Sequence, residues 1–323
     1  MLSIPYGETN SQPAASTGPG SLRGRALGRV IAASAALGAG IRAERAWQLA
    51  AVGGTLEWAL RPRKRSLLAT NLGHAMGRPP ADRAVARAVR AQFVNQARRS
   101  ADVLWAVARG EEVARRCRVE GRDELDRALE RGRGAILAGP HMGGYDVVAA
   151  GMGELLAGLA VTVVVEDDWV SSAVAGLRRR AGVELELRTA APRRSLQTLR
   201  RGGVVAVVAD LAKPGMRTFA VRFLDGCVEL PAGPAALARL SGSPVVPFCV
   251  LPIAPRAWRV ALERAIDPPP RRQRAAEREV LQALADVWSG WISAAPELWE
   301  AVDPMPWVRS SGRGGPTDGR APG

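Results

Sequence analysis

An alternation that begins near residue 117 sets the limits on how this chain can fold. From there, short apolar runs of strand length take turns with longer segments of helical periodicity. Gly134–Ala138, Val161–Val165 and Val204–Val208 are the apolar runs, and Val183–Leu187 is a further expected strand in which Glu184 and Glu186 alternate with apolar residues; stretches near 144–159, 170–181 and 192–201 lie between or beside them. Apolar runs without polar alternation read as strands buried on both faces. Strands separated by helices cross over to lie parallel, and the helices then cover both faces of the sheet. Further on, Phe219–Leu224 and Val228–Leu230 predict a strand pair around a turn, and Ala232–Leu240 a helix. Pro244–Leu251 and Trp258–Leu262 predict two more strands, and Arg272–Ser293 a last amphipathic helix. The expected fold class is α/β, a mixed sheet flanked by helices on both faces.

Upstream of 117 no strand pattern stands out. Leu49, Val52, Leu56 and Leu60 recur at helical spacing until Arg61-Pro62-Arg63-Lys64-Arg65 breaks the run. A second helical stretch covers about 82–109, with Phe93, Val94, Val103, Leu104 and Trp105 on its core face. The division expected is a disordered Ser/Pro/Gly leader over 1–24 and a helical membrane-proximal region over 25–116. An α/β domain over 117–308 and a disordered tail over 309–323 complete it. The apolar stretch Val30–Ile41 is shorter than the roughly 20 residues a membrane span needs. Val147–Val165 changes character midway and reads as a helix followed by a strand. The N-terminus lacks the apolar core of a secretory signal.

Charge narrows the function. Lys plus Arg number 45 against 31 Asp plus Glu, a formal net charge of +14. Such a chain is drawn to anionic lipid, phosphorylated substrates or nucleic acid. Nucleic acid is the weakest of these, because only 5% of residues are aromatic and no zinc-finger or helix-turn-helix spacing occurs. Cys117, Cys227 and Cys249 form no C-x-x-C pair, which argues against a disulfide framework. With only His74 and His141, a His-rich zinc site is excluded and any imidazole chemistry must use one of the two. The absence of G-x-S-x-G disfavours a hydrolase.

The most informative stretch is Gly139-Pro-His-Met-Gly-Gly-Tyr-Asp146, where a predicted strand gives way to a predicted helix. Ligands of open α/β sheets bind beyond the carboxyl ends of strands. His141 and Asp146 flank a turn that can bring them together, as a base and the carboxylate that orients it. The same residues also fit a structural histidine capping a helix beside a solvated Asp.

The wider pattern decides between these. His141-x4-Asp146 stands in order with Asn71-Leu72, Glu166, Arg178-x-x-x-Gly182, Asp210, Phe223, Pro231-Ala-Gly-Pro-Ala235 and Pro296-Glu-Leu-Trp299. Over about 26–308 the chain resembles bacterial glycolipid and lysophospholipid acyltransferases. Within them it is most similar to the branch of lipid A lauroyl/myristoyl transferases and phosphatidylinositol mannoside acyltransferases. It departs from that branch at Met142-Gly-Gly-Tyr145, and at Phe223-Leu-Asp-Gly226 where relatives tend to have Phe-Phe-Gly. The resemblance implies an O-acyltransferase, with His141 as general base on an acceptor hydroxyl and Asp146 as its orienting carboxylate. It implies a thioester donor, acyl-CoA or acyl carrier protein, as co-substrate and requires no metal. Arg178 becomes a phosphate contact, and Glu166 and Asp210 become further substrate-binding candidates. The Arg-over-Lys, Ala- and Gly-rich composition suits a GC-rich genome, which favours a phosphatidylinositol mannoside as acceptor over lipid A or a lysophospholipid. The implied location is the cytoplasmic face of the cell membrane, bound peripherally to anionic inner-leaflet lipid. The competing reading is a non-catalytic basic protein that binds membrane or nucleic acid.

Overall fold

Among the described residues, three long helices precede the α/β portion. In the computed structural model, which describes residues 40–106, 109–165, 184–187, 191–305 and 307–308, they are α1 (Ala43–Leu60), α2 (Pro62–Met76) and α3 (Arg83–Ala106). The leader, the tail, residues 30–39 of the stretch Val30–Ile41, the helix expected near 170–181, Glu166 and Arg178 lie outside the described residues. Pro62 separates α1 from α2, because proline has no N–H to donate and is tolerated only in a first turn. The helix resumes at once, so His74, which the basic break would leave in a loop, lies in the last turn of α2. Gly77 then ends α2 with φ 59° and returns its N–H to the carbonyls of Gly73 and His74. Leu49, Val52, Leu56 and Leu60 form an exposed apolar stripe along α1. No helix among the described residues is long and apolar enough to cross a membrane.

The α/β portion adds α4 (Gly110–Arg115), β1 (Cys117–Glu120), α5 (Arg122–Glu130), β2 (Ala135–Gly139), α6 (Tyr145–Val148) and α7 (Met152–Leu155). It continues with β3 (Val161–Val165), β4 (Glu184–Leu187), α8 (Ala191–Arg200), β5 (Val204–Val208), β6 (Thr218–Phe223) and β7 (Gly226–Pro231). It ends with α9 (Gly233–Ser241), β8 (Val245–Ala254), β9 (Ala257–Leu262), α10 (Glu277–Ala294) and β10 (Trp307–Val308). Seven strands form the main sheet in the order β1-β9-β8-β2-β5-β3-β4. The five from β8 to β4 run parallel; β9 is antiparallel to β8, and β1 runs parallel to β9. The mixed sheet flanked by helices is therefore as expected. The β6–β7 hairpin is not part of it, and pairs with β10 in a small second sheet.

Two elements differ from the sequence reading for physical reasons. The single helix expected near 144–159 is two short helices, α6 and α7, interrupted at Ala149–Gly151. Gly151, within the gap, supplies too little helix propensity to bridge it. β1 escapes the sequence reading because Arg118 and Glu120 break its apolar pattern, which an edge strand tolerates.

All of β2 is buried, and its side chains alternate between the two faces of the sheet. Ile136 and Ala138 join a core that includes Leu68, Leu72 and Phe93 of α2 and α3 and Trp288 of α10. Ala135 and Leu137 join the opposite core, with Val113, Leu125, Val147 and Trp258. The helices before the sheet therefore share its core.

Candidate active site

The site is set by strand register. β2 and β5 are parallel neighbours, with Gly139 opposite Val208. Two residues beyond each strand end lie His141 and Asp210. Asp210 is fully buried, and its Oδ1 lies 2.5 Å from His141 Nδ1. The same oxygen accepts the backbone N–H of His141 at 2.9 Å, and Oδ2 accepts the Trp299 indole N–H at 2.8 Å. Burial alone would push this carboxyl pKa up; the His141 charge and the bonds from His141 and Trp299 outweigh it and hold the pKa below the usual carboxylate value.

Asp146 opens α6 in the turn after His141. Its Oδ1 accepts the N–H of Val147 at 2.9 Å, and its Oδ2 lies 3.7 Å from Arg99 Nε. The sequence reading makes Asp146 the orienting carboxylate and Asp210 a substrate contact. The geometry gives Nδ1 to Asp210, a buried group already holding three donors and so a partner of the imidazole rather than of a ligand.

The turn between His141 and Asp146 is fixed from two directions. Gly143 has φ 64°, and a Cβ there would come within 1.7 Å of the Val250 carbonyl, so β8 packs where no other residue fits. Gly143 donates its N–H to the Leu298 carbonyl at 2.9 Å, and Glu300 donates its N–H to the His141 carbonyl at 2.7 Å. The Tyr145 ring meets the His141 ring edge-on at 5.3 Å, and its hydroxyl donates to Glu300 at 3.0 Å. Trp299, Glu300 and Tyr145 are site residues that the sequence reading misses. Trp299 enters it only as part of a landmark, and nothing local in the sequence links it to a carboxylate 89 positions away.

His141, Tyr145 and Asp146 line a cavity of about 610 Å³. Much of the remaining wall is apolar, including Val103, Leu125, Met152, Leu156, Ala206 and Val250, with Lys213 and Arg217 also at its surface. The volume falls within the ordinary range for small-molecule sites, and such a lining selects an apolar ligand body.

The other candidate groups are engaged elsewhere. His74 Nδ1 pairs with Asp225 at 2.5 Å, and its ring stacks on Trp307 with centroids 3.8 Å apart. Burial pushes the Cys117 and Cys249 thiols up to about 12, too high for thiolate nucleophiles.

The family model for bacterial lipid A biosynthesis acyltransferases matches residues 39–303. A phosphatidylinositol mannoside acyltransferase of Mycobacterium tuberculosis is 30% identical over 200 residues, 59% of this chain and 60% of that relative. The chain therefore matches about three fifths of that relative's length. A phosphatidylinositol mannoside acyltransferase of Mycolicibacterium smegmatis is 28% identical over 251 residues, 75% of this chain and 79% of that relative.

Proposed function

The chain belongs to the bacterial lipid A biosynthesis acyltransferase family, and from that premise we propose that it moves a fatty acyl group from a thioester to a hydroxyl of a membrane glycolipid. The observation that supports this most directly is an imidazole in the wall of a large, mostly apolar cavity, held at Nδ1 by a buried carboxylate. With the Nδ1 proton directed at Asp210, the Nε2 lone pair acts as the base. It takes the proton of the acceptor hydroxyl as the oxygen attacks the thioester carbonyl. The tetrahedral intermediate then expels the carrier thiolate, and the imidazolium returns its proton to sulfur. The carboxylate of Asp210 stabilises the imidazolium between these steps. Asp146, at the start of α6, supports the same turn from the other side. The apolar cavity accommodates the acyl chain, where each buried methylene contributes about 0.8 kcal/mol.

The acceptor we favour is a phosphatidylinositol mannoside, on the names of the relatives and the composition; lipid A-type and lysophospholipid acceptors are the alternatives. Acyl-CoA or acyl carrier protein serves as co-substrate, and the scheme uses no metal or other cofactor. Glu166 and Arg178 keep their proposed contacts, Arg178 to a phosphate of donor or acceptor. The protein acts peripherally on the cytoplasmic face of the membrane. The apolar stripe of α1 and the neighbouring Arg61, Arg63, Lys64 and Arg65 suit an anionic lipid surface.

The test incubates the purified protein with labelled long-chain acyl-CoA, or acyl carrier protein, and vesicles holding one acceptor at a time. Label on the mannoside is expected. Label on another lipid reassigns the acceptor, and label on none of them refutes acyl transfer.

A further inference from the structure

Arg99 lies in the middle of α3, with its side chain only 11% exposed. A guanidinium so placed needs compensating charge, because a desolvated cation without a partner is strongly unfavourable. It pairs with Glu300, lies 3.7 Å from Asp146, and sits over the Tyr145 ring at 5.5 Å. Glu300 in turn holds the catalytic turn at two points, through the His141 carbonyl and the Tyr145 hydroxyl. One side chain from the helices before the sheet thus ties together the start of α6 and the segment that closes the turn. The carboxylates at the turn come from elements other than α3. Asp210 follows β5, Asp146 opens α6, and Glu300 follows α10.

Resting on the acyltransferase reading, we propose that Arg99 is a positioning residue for His141: it fixes the turn that holds the imidazole and offsets the negative charge around it. The charge count makes this specific. Lys213 and Arg217 line the same cavity; of the three carboxylates at the turn, Asp210 bonds the imidazole, and Asp146 and Glu300 flank the segment that carries it, with Glu300 bonded to Tyr145. Arg99 is the cation paired with two of them. Asp102, one turn further along α3, and Arg256, in the β8–β9 turn, are the next charges outward, coupled to each other and, through Asp102, to Asp146. Without Arg99 the surrounding carboxylates favour imidazolium, and an imidazole protonated in the resting state is no base.

The experiment is an NMR titration of the histidine ring protons in the full chain, alongside the acyl-transfer assay. With two histidines, the His141→Gln spectrum assigns both signals. Arg99→Met should raise the His141 midpoint by about one pH unit, the size expected for one charge within about 11 Å of the ring at an effective dielectric of about 20. The His74 midpoint should not move, and Arg99→Lys should keep His141 near its wild-type value. Glu300→Gln, which retains an acceptor for Tyr145, should shift His141 the opposite way and serves if Arg99→Met does not fold. A His141 midpoint unmoved by Arg99→Met, or by Glu300→Gln when the first variant is unfolded, overturns the proposal whatever the turnover. Failure of acyl transfer by wild-type protein is read from the separate assay and counts against the acyltransferase reading, not against the charge offset.

Discussion

Replacing Asp210 by Asn tests the centre of the proposed chemistry with almost no change in shape. The carboxylate receives three N–H groups, two from His141 on Oδ1 and one from Trp299 on Oδ2. An amide has one oxygen to offer. If that oxygen stays toward His141, the amide NH₂ faces the Trp299 indole N–H, and a buried donor is left unmet at about 1–3 kcal/mol. If the amide flips, its NH₂ faces both nitrogens of His141. The ring then accepts at Nδ1, and its proton moves to Nε2, the position that must act as base. Either orientation also removes the charge that stabilises imidazolium. In a triad of known mechanism the same change costs about 10⁴-fold in turnover. For Asp210→Asn we expect a loss of about 10²–10⁴-fold in kcat, with melting lowered by a few degrees. The assay is acyl transfer from labelled acyl-CoA to phosphatidylinositol mannoside in vesicles, with circular dichroism to confirm the fold. Asp146→Asn is run beside it. Folded Asp210→Asn protein within about threefold of wild-type turnover would refute the assignment. A heavier loss in Asp146→Asn than in Asp210→Asn would return the orienting role to Asp146.

His141→Ala should lose about 10²–10⁴-fold in turnover with its fold intact, and near-wild-type activity in that variant would remove the imidazole from the mechanism. Asp102 is buried against α1, accepting the Trp47 indole N–H at 3.0 and 3.1 Å, and burial raises its pKa to about 7 despite that bond and the nearby Arg256. A carboxyl raised in the folded state adds stability that is fully present below its unfolded value of 3.8 and lost as pH rises through about 7, on the order of 4 kcal/mol in all. Melting curves of wild type and Asp102→Asn should therefore diverge between about pH 4 and pH 7, with the wild type falling, and parallel curves would contradict this. Arg178→Lys should impair transfer, because Lys lacks the planar fork that grips phosphate; unchanged kinetics in Arg178→Ala would return the residue to a solvated surface. The protein should sediment with anionic vesicles and be partly released by high salt, whereas retention that only detergent reverses points to a true anchor.

The α/β class was legible because the runs of Val, Ile, Leu and Ala in β2, β3 and β5 have no polar alternation and are spaced by helical segments. The motif turn was legible because Gly139, His141 and the glycine pair fall where a strand ends. The partner of His141 was not. Both Asp146 and Asp210 were visible as carboxylates near strand ends, and proximity in sequence favoured Asp146. The choice depended on β2 and β5 being neighbours, and the strand order β2-β5-β3-β4 skips two intervening strands. No local pattern encodes that order. Arg99 was hidden for a related reason. It looks like one of many arginines on an amphipathic helix until α3 is packed against α6 and the turn.

The segment after α10 has a consequence for when this site exists. Leu298, Trp299 and Glu300 supply, respectively, a carbonyl to Gly143, an indole N–H to Asp210 and an amide to His141. Asn71 of α2 anchors the residues just beyond them, donating to the carbonyls of Ala301 and Asp303 and accepting from the Trp307 indole. A nascent chain that has emerged as far as residue 294 contains every strand of the main sheet and the cavity wall up to Val260 and Leu262. It still lacks the three contacts that settle the histidine. During translation the strands of the main sheet thus precede the residues that close the turn around His141. The same logic makes the stretch 296–308 a point of failure. A single proteolytic cut between α10 and Trp299 cuts the covalent link to the residues that hold the turn around His141, and to Trp299, Ala301 and Met305, which are buried in the core beside α2 and α3.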